Sequence, residues 1–236
     1  MVFDKQLALE CADLIRQLYQ NELTPVINES STDTQVAIVS RLGRTFVVFP
    51  GSASRADWAT NLRAGKVPWQ PAGRVHAGFR EAAESIREEL SEHLAGRTYV
   101  TFVGHSLGGA LATLAADALD SRMPAKIGAV YTFGAPRCGN GPFARSYNAR
   151  LHDQTFRLVA VRDPIPRIPW LLGTYRHVGT RVWLGDERRL EVNPPLWQGV
   201  EWQPLWHSHP EQTVQDFVAL SAHSIENYIR KLQESA

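Results

Sequence analysis

The sequence predicts one α/β domain over residues 1–236, with a mostly parallel central sheet and helices on both faces. A length of 236 residues with 44% hydrophobic residues suits a single large domain with a sizeable core. Between residues 98 and 161, apolar runs typical of strands alternate with segments of helical period. Such alternation favours parallel strands joined by right-handed crossovers.

The chain begins with a predicted helix and a predicted hairpin. Residues 4–23 place apolar side chains at helical spacing. Two runs rich in β-branched and aromatic residues, 35–42 and 45–49, flank Gly43 and predict a β-hairpin. Residues 78–94 have one apolar face, which predicts the next helix.

The alternating part and the carboxyl-terminal part supply the remaining elements. The predicted strands are 98–103, 128–133, 156–161, 175–184 and 188–192. The predicted helices run from the turn at 106 to about residue 119, over 143–151, and over 214–233. The helix that follows residue 106 is apolar on nearly every side, so we expect it to be buried.

Charge and cysteine content exclude several classes of function. The chain has 25 basic and 24 acidic residues, so its net charge of +1 creates no field that favours nucleic acid or an anionic membrane. Cys11 and Cys138 lie far apart and are predicted to be small buried thiols. No stretch reaches the roughly 18 apolar residues of a transmembrane helix.

The amino-terminal residues bear on location. Residues 1–10 lack a basic segment followed by an apolar one, and acidic residues interrupt them early. This pattern predicts a cytoplasmic protein, or a secreted one whose signal peptide has been removed. The sequence does not indicate the oligomeric state.

Residues 104–109 read Gly-His-Ser-Leu-Gly-Gly and lie between a predicted strand and a predicted helix. This is the context of a nucleophile elbow, in which Ser106 occupies a sharp turn. Gly104 and Gly108 allow the strand and the helix to approach closely, because they lack a Cβ atom. The helix amino terminus then offers N–H groups to a developing oxyanion, the first of them from Leu107. His105 is expected to support the turn, with its side chain directed away from Ser106.

A serine nucleophile needs a base and a carboxylate, which in this kind of fold follow it along the chain. Asp163 comes directly after a predicted strand, in a loop stiffened by prolines. Asp186, beside Gly185, is the second candidate. The candidate bases are His177, His207, His209 and His223. His177 lies in a strand-like run, and helical spacing alone does not separate a catalytic His223 from a structural one.

A tetrahedral intermediate needs a second donor, from an early loop that follows a strand. The loop of residues 49–52, Phe-Pro-Gly-Ser, precedes the elbow and makes Ser52 the candidate. Gly51 lets this loop pass close to a substrate. His207 and His209 have the spacing of a metal-binding pair, but no cysteine or further histidine nearby completes a site. We therefore expect neither a metal nor a cofactor.

Several motifs, in order along most of the chain, resemble those of the class 3 lipase family. They are Phe-Pro-Gly-Ser at 49–52, Asp57-Trp58 with Asn61-Leu62, Val-His-Ala-Gly-Phe at 75–79, the elbow, Tyr-Thr-Phe-Gly-Ala-Pro-Arg at 131–137, Asp-Pro-Ile-Pro-Arg at 163–167, and His223 followed by Tyr228. The elbow alone marks serine hydrolases in general. The stretches at 132–137 and 163–167 are far more specific, although Pro50 stands where the family usually has arginine.

This resemblance implies an α/β-hydrolase fold and the hydrolysis of carboxylic esters by a lipase, with triacylglycerol as the expected substrate. It implies Ser106 as nucleophile, His223 as base and Asp163 as the orienting acid. Ser52 and Leu107 become the donors of the oxyanion hole. Residues 53–62 become a helical lid, in which Trp58 and Leu62 are the large apolar side chains that can meet an oil–water interface.

Other readings use the same residues. A short-chain esterase, a phospholipase A1 or a feruloyl-type esterase needs the same triad, and so does a thioesterase or an amidase. A lipase-like binding protein without catalysis is a further alternative, which the complete set of Ser, His and Asp candidates disfavours. The tryptophan-rich residues 194–210 are equally consistent with an acyl pocket and with a loop packed by its own rings.

Overall fold

A computed structural model describes residues 1–51, 65–120, 127–169, 174–195 and 220–235. The strands are β1 (Ile27–Glu29), β2 (Thr34–Arg41), β3 (Arg44–Phe49), β4 (Lys66–Pro68), β5 (Arg74–His76), β6 (Val100–His105), β7 (Ile127–Phe133), β8 (Thr155–Ala160), β9 (Thr180–Leu184) and β10 (Leu190–Val192). The helices are α1 (Lys5–Tyr19), α2 (Ala77–Ser85), α3 (Arg87–His93), α4 (Leu107–Asp120), α5 (Gly141–Leu151), α6 (Leu220–His223) and α7 (Ile225–Glu234).

Within those residues, eight strands form one sheet in the order β1-β2-β3-β6-β7-β8-β9-β10, and β4 pairs with β5 apart from it. Strands β3, β6, β7, β8 and β9 run parallel to one another. The antiparallel pairs lie at the two edges of the sheet. The carboxyl ends of the parallel strands therefore meet at one edge, where ligands bind in open α/β sheets.

Both faces of the sheet are covered, as the sequence predicts. Along β3, the side chains of Phe46 and Val48 enter one core, and those of Val47 and Phe49 enter the other. Helices α2 to α5 pack on the second of these faces, and α1 and α7 pack on the first. Helix α4 is buried nearly all round, in agreement with its composition. Among the helices that the structure describes, none has both the length and the apolar composition that a membrane span requires.

Several predicted boundaries were wrong for local reasons. The helix predicted over 4–23 ends at Tyr19, and Asn21 has a φ of +58°. The helix predicted over 78–94 is divided into α2 and α3 at Ile86, whose φ of −100° and ψ of −4° interrupt the helix. The strand predicted from 175 begins at Thr180, after Gly179 with a φ of +67°.

The last predicted helix is divided in two in the part of it that the structure describes, and it ends at Glu234, close to the predicted residue 233. Residues 214–219 lie outside that part. Between α6 and α7, Ser224 interrupts the helix and caps α7, because its Oγ accepts a hydrogen bond from the Asn227 N–H at 3.2 Å. The sequence analysis did not predict the short strands β1, β4 and β5.

The elbow brings the backbones of β6, α4 and the end of β3 into close contact. A Cβ atom on Gly104 would lie 2.1 Å from the carbonyl oxygen of Gly108. One on Gly108 would lie 2.3 Å from the carbonyl oxygens of Phe49 and Pro50. The two glycines therefore let β6 and α4 approach closely, as the sequence predicts, and also admit the end of β3, which the sequence analysis did not predict.

We expect Gly104→Ala to lower the free energy of unfolding by about 3 kcal/mol, because backbone atoms must move to admit the methyl group. Chemical denaturation measures the change. Gly65→Ala is the matched control, since a Cβ atom there meets nothing within 4 Å. Equal stability of the two variants would contradict the close crossing.

Candidate active site

Ser106 lies at the turn between β6 and α4 with a φ of +56°, a conformation that is rare for residues other than glycine. Two backbone hydrogen bonds hold it there. The Ser106 N–H donates to the Phe133 carbonyl at 2.9 Å, and the Gly109 N–H donates to the Ser106 carbonyl at 3.0 Å. The predicted nucleophile is thus fixed at the carboxyl ends of β6 and β7, and Leu107 follows it as the first residue of α4.

Asp163 and His223 come together although 60 residues separate them. The Asp163 Oδ2 atom lies 2.8 Å from His223 Nδ1. Both residues are buried, with exposures of 1% and 3%. The other carboxylate oxygen of Asp163 accepts a hydrogen bond from the Ile165 N–H at 2.9 Å. These contacts fix the carboxylate and orient the imidazole, which is the arrangement that a serine triad requires.

Tyr228 completes the surroundings of this carboxylate, a role that the sequence analysis did not assign. Its hydroxyl donates to Asp163 Oδ2 at 2.6 Å and accepts from the Ala160 N–H at 3.1 Å. Burial and the neighbouring negative charge of Asp163 raise the pKa of Tyr228 well above its usual value, so the hydroxyl stays protonated. Tyr228 lies five residues after His223 in a helical segment, and this local pattern gave no sign of the contact.

Gly134 makes room for the Asp163–His223 pair. With a φ of +60°, it lies where a Cβ atom would come within 2.7 Å of Asp163 Oδ2 and 2.8 Å of the His223 ring. Gly134 follows Phe133, whose carbonyl accepts the hydrogen bond of the Ser106 N–H. Gly134 therefore lies between the elbow and the Asp163–His223 pair. Within the described residues, His223 Nε2 is buried and has no hydrogen-bond partner. This nitrogen is therefore the ring atom that can receive a proton.

His105 is buried beneath His223. The sequence analysis expected it to support the turn at Ser106, and in the structure it also contacts His223. Its Nε2 atom lies 2.7 Å from the His223 carbonyl oxygen, and the two rings stack with centroids 4.6 Å apart. Its Nδ1 atom lies 2.8 Å from the Tyr19 hydroxyl. Both ring nitrogens are thereby engaged, and the backbone and ring of His223 rest on the residue that precedes the predicted nucleophile.

Tyr19 extends this chain of contacts to the predicted oxyanion loop. Its hydroxyl accepts a hydrogen bond from the Gly51 N–H at 2.7 Å. Pro50 stands where the family usually has arginine, and here a tyrosine from α1 holds the next residue. The predicted donor Ser52 lies outside the described residues, and so do the predicted lid residues Trp58 and Leu62.

The other sequence candidates lie elsewhere. Asp186 is in the turn between β9 and β10, where it pairs with Arg162 and Lys231 at 3.3 Å each. His177 Nε2 lies 2.7 Å from the Pro166 carbonyl, which agrees with a structural role. His207 and His209 lie outside the described residues, as does nearly all of the segment 194–210.

The side chains that bind metals and form disulfides are dispersed. Cys11 and Cys138 are free, buried thiols, as the sequence predicts. Burial raises the pKa of Cys138 to about 12, so its thiol stays protonated. In the part of the chain that is described, no group of three or more His, Cys, Asp or Glu residues is placed to hold a metal ion.

Comparison with known proteins shows that this chain is similar to lipases. The sequence model of the family described as Lipase (class 3) matches residues 46–172. A secreted mono- and diacylglycerol lipase of Malassezia restricta is 31% identical over 164 residues, which cover 64% of this chain and 51% of that protein. A secreted mono- and diacylglycerol lipase of Fusarium solani is 35% identical over 142 residues, which cover 57% of this chain and 42% of that protein.

The matched part thus spans about half the length of these curated relatives. Among solved structures, the triacylglyceride lipase of Rhizomucor miehei superposes with a TM-score of 0.72 at 21% identity, over 93% of both chains. This likeness confirms the predicted α/β-hydrolase fold.

We expect His177→Gln to flatten the pH dependence of stability below pH 6.5. Burial and the nearby charges of Arg157 and Arg137 hold the pKa of His177 well below its usual value. Between about pH 6.5 and the depressed folded pKa, only unfolded chains bind this proton. The free energy of unfolding therefore decreases as the pH is lowered, by up to about 1.4 kcal/mol per pH unit.

Denaturation between pH 7 and 5.5 measures this slope. The exposed His152 provides the control His152→Gln. An identical slope in wild type and His177→Gln would contradict a neutral imidazole in the folded protein.

Proposed function

Because this chain belongs to the class 3 lipase family, we propose that it is a serine carboxylic-ester hydrolase that acts on acylglycerols through an acyl-enzyme. The observation that supports this most directly is the buried Asp163–His223 hydrogen bond of 2.8 Å, together with a serine on a strained elbow whose preceding residue, His105, stacks on the His223 ring. We also propose that residues 1–236 form one domain, and that neither a metal nor a cofactor takes part.

In the proposed reaction, His223 Nε2 takes the proton of the Ser106 hydroxyl as Oγ attacks the ester carbonyl. A serine hydroxyl is a weak nucleophile at neutral pH, so this transfer is needed for attack. The carboxylate of Asp163 stabilises the imidazolium that forms and keeps its Nδ1–H directed away from Ser106. Tyr228 and the Ile165 N–H hold that carboxylate in place through their hydrogen bonds.

The attacked carbonyl oxygen acquires negative charge in the tetrahedral intermediate. The Leu107 N–H, at the amino terminus of α4, is one proposed donor to this oxygen, and Ser52 is the other. The contact between Tyr19 and Gly51 supports the second assignment, since it holds the residue before Ser52. Donors fixed in advance need little reorganisation when charge develops.

The intermediate collapses when the imidazolium of His223 gives its proton to the leaving alcohol. The acyl group then remains on Ser106 Oγ. A water molecule, deprotonated by the same imidazole, attacks the acyl-enzyme and releases the fatty acid. The products are one alcohol and one carboxylic acid for each ester bond cleaved.

The relatives bear on substrate and location. Both curated relatives are named mono- and diacylglycerol lipases, which supports partial glycerides as substrates beside the triacylglycerol expected from the sequence. Both names also include the word secreted, and this supports a location outside the cell over a cytoplasmic one.

We expect Ser106→Ala to lower kcat about a million-fold, because the hydroxyl is the proposed nucleophile. Hydrolysis rates on monoolein, diolein, and emulsions from tributyrin to triolein measure the loss. Ser85→Ala is the control, since Ser85 Oγ bonds Ala82 and Thr32 away from the site. A tenth of the activity left in Ser106→Ala would remove Ser106 from the mechanism.

The same assay separates the alternatives. Activity on dioleoyl and trioleoyl glycerol supports a lipase with room for long acyl chains. Activity confined to tributyrin would indicate a short-chain esterase instead. Faster turnover of a phospholipid, a feruloyl ester, a thioester or an amide would replace the acylglycerol assignment, and inactivity on every ester would favour a binding protein.

We expect Tyr19→Phe to lower kcat about tenfold and leave KM nearly unchanged, because interactions with the oxyanion strengthen only in the transition state. The variant removes the partner of the Gly51 N–H and of His105 Nδ1 and keeps the ring. Tyr99→Phe is the control, at an exposed tyrosine. A rise in KM at constant kcat would show that Tyr19 contributes to ground-state binding instead.

A further inference from the structure

A small cavity lies between α4, β7 and β8, on the face of the sheet that α4 covers. Its volume is about 10 Å³, close to the space that one water molecule requires. The lining includes Thr113, Thr132, Cys138, Thr155, Arg157 and His177. This lining shares no residue with the Ser106, Asp163 and His223 site.

Arg157 is the charged residue of β8 that faces this cavity. It lies opposite Thr132 of β7 and Arg181 of β9 in the sheet. Among the described residues, its Nε atom is buried without a hydrogen-bond partner. Its guanidinium also forms no ion pair with any described carboxylate. Burial lowers the pKa of Arg157 to about 9, and the charges of Arg181 and Arg137 contribute to this shift.

The neighbouring arginines do not neutralise this charge, since they add to it. Arg137 donates to the carbonyl oxygens of Arg167 and Pro169, the latter at 3.0 Å. Arg181 donates to the carbonyl oxygens of Pro194 and Pro195 at 3.0 and 2.7 Å. Glu191 acts on Arg181 from the edge of the sheet. The surroundings of Arg157 therefore combine several positive charges with carbonyl oxygens that bind Arg137 and Arg181.

His177 responds to the same charges. Arg157, Arg137 and Arg181 all act to lower its pKa, and its Nε2 is engaged with the Pro166 carbonyl. The imidazole at the cavity is therefore neutral and adds no positive charge. The Arg157 residue is half-buried, but its Nε atom is fully buried and has no partner among the described residues. A buried N–H group without a partner is unfavourable, and proteins satisfy such groups with a carboxylate, a water molecule or a bound anion.

We propose that the cavity binds a single monatomic anion, with chloride as the physiological ligand, held by the Arg157 N–H groups and the Thr132 hydroxyl. The small volume of about 10 Å³ favours a single small ion over a larger organic anion. Charge-assisted hydrogen bonds from arginine favour an anion over a neutral water molecule in this position. The bound ion joins β7, β8 and the segment carrying His177.

Thermal unfolding in sodium chloride, with sodium gluconate keeping the ionic strength constant, tests the proposal. A ligand that binds only the folded protein lowers the unfolding constant about tenfold for each tenfold rise in its concentration above Kd. We expect this dependence in wild type and its loss in Arg157→Met. Arg162→Met is the matched control, because Arg162 is exposed and pairs with Asp186. It also removes one positive charge.

Crystals of the wild-type protein grown in bromide provide a second measurement that does not depend on a variant folding. An anomalous peak beside Arg157 Nε supports the site. Water density at this position without a bromide peak would overturn the proposal. The same chloride dependence in all three proteins, or none in wild type, would also overturn it.

Discussion

Ser106 holds a left-handed backbone conformation that is costly for any residue with a side chain, and the surrounding backbone enforces it. Its N–H is fixed to Phe133, and Gly104 and Gly108 allow β6, α4 and the end of β3 to meet around it. These close contacts set the distance between the elbow, the end of β7 and the loop at Gly51.

Beneath the elbow, buried and half-buried polar groups are connected in two hydrogen-bonded chains. One runs from the Gly51 N–H through Tyr19 and His105 to the His223 carbonyl. The other runs from the Ala160 N–H through Tyr228 and Asp163 to the His223 ring. Buried polar groups are stable when they are paired, so both chains favour a single orientation of His223 before any substrate arrives.

The sequence predicted the parts of this arrangement that depend on local patterns. The elbow and the loop after β8 have recognisable residue types next to strands, and the sheet followed from alternating periodicity. The choice of His223 among four histidines needed the family resemblance, because helical spacing does not reveal a partner 60 residues away. The roles of Tyr19 and Arg157 were not predicted for the same reason, because their contacts join elements that only the folded chain brings together. The division at Ile86 had no glycine or proline to mark it.

The central claim is that Ser106 is a nucleophile activated by His223. Reaction with a fluorophosphonate, followed by mass-spectrometric mapping of the labelled peptide, tests it most directly. The account predicts a covalent adduct on Ser106 that forms rapidly in wild type and in His152→Gln, and very slowly in His223→Gln. An adduct on another residue, or an unchanged labelling rate in His223→Gln, would contradict it.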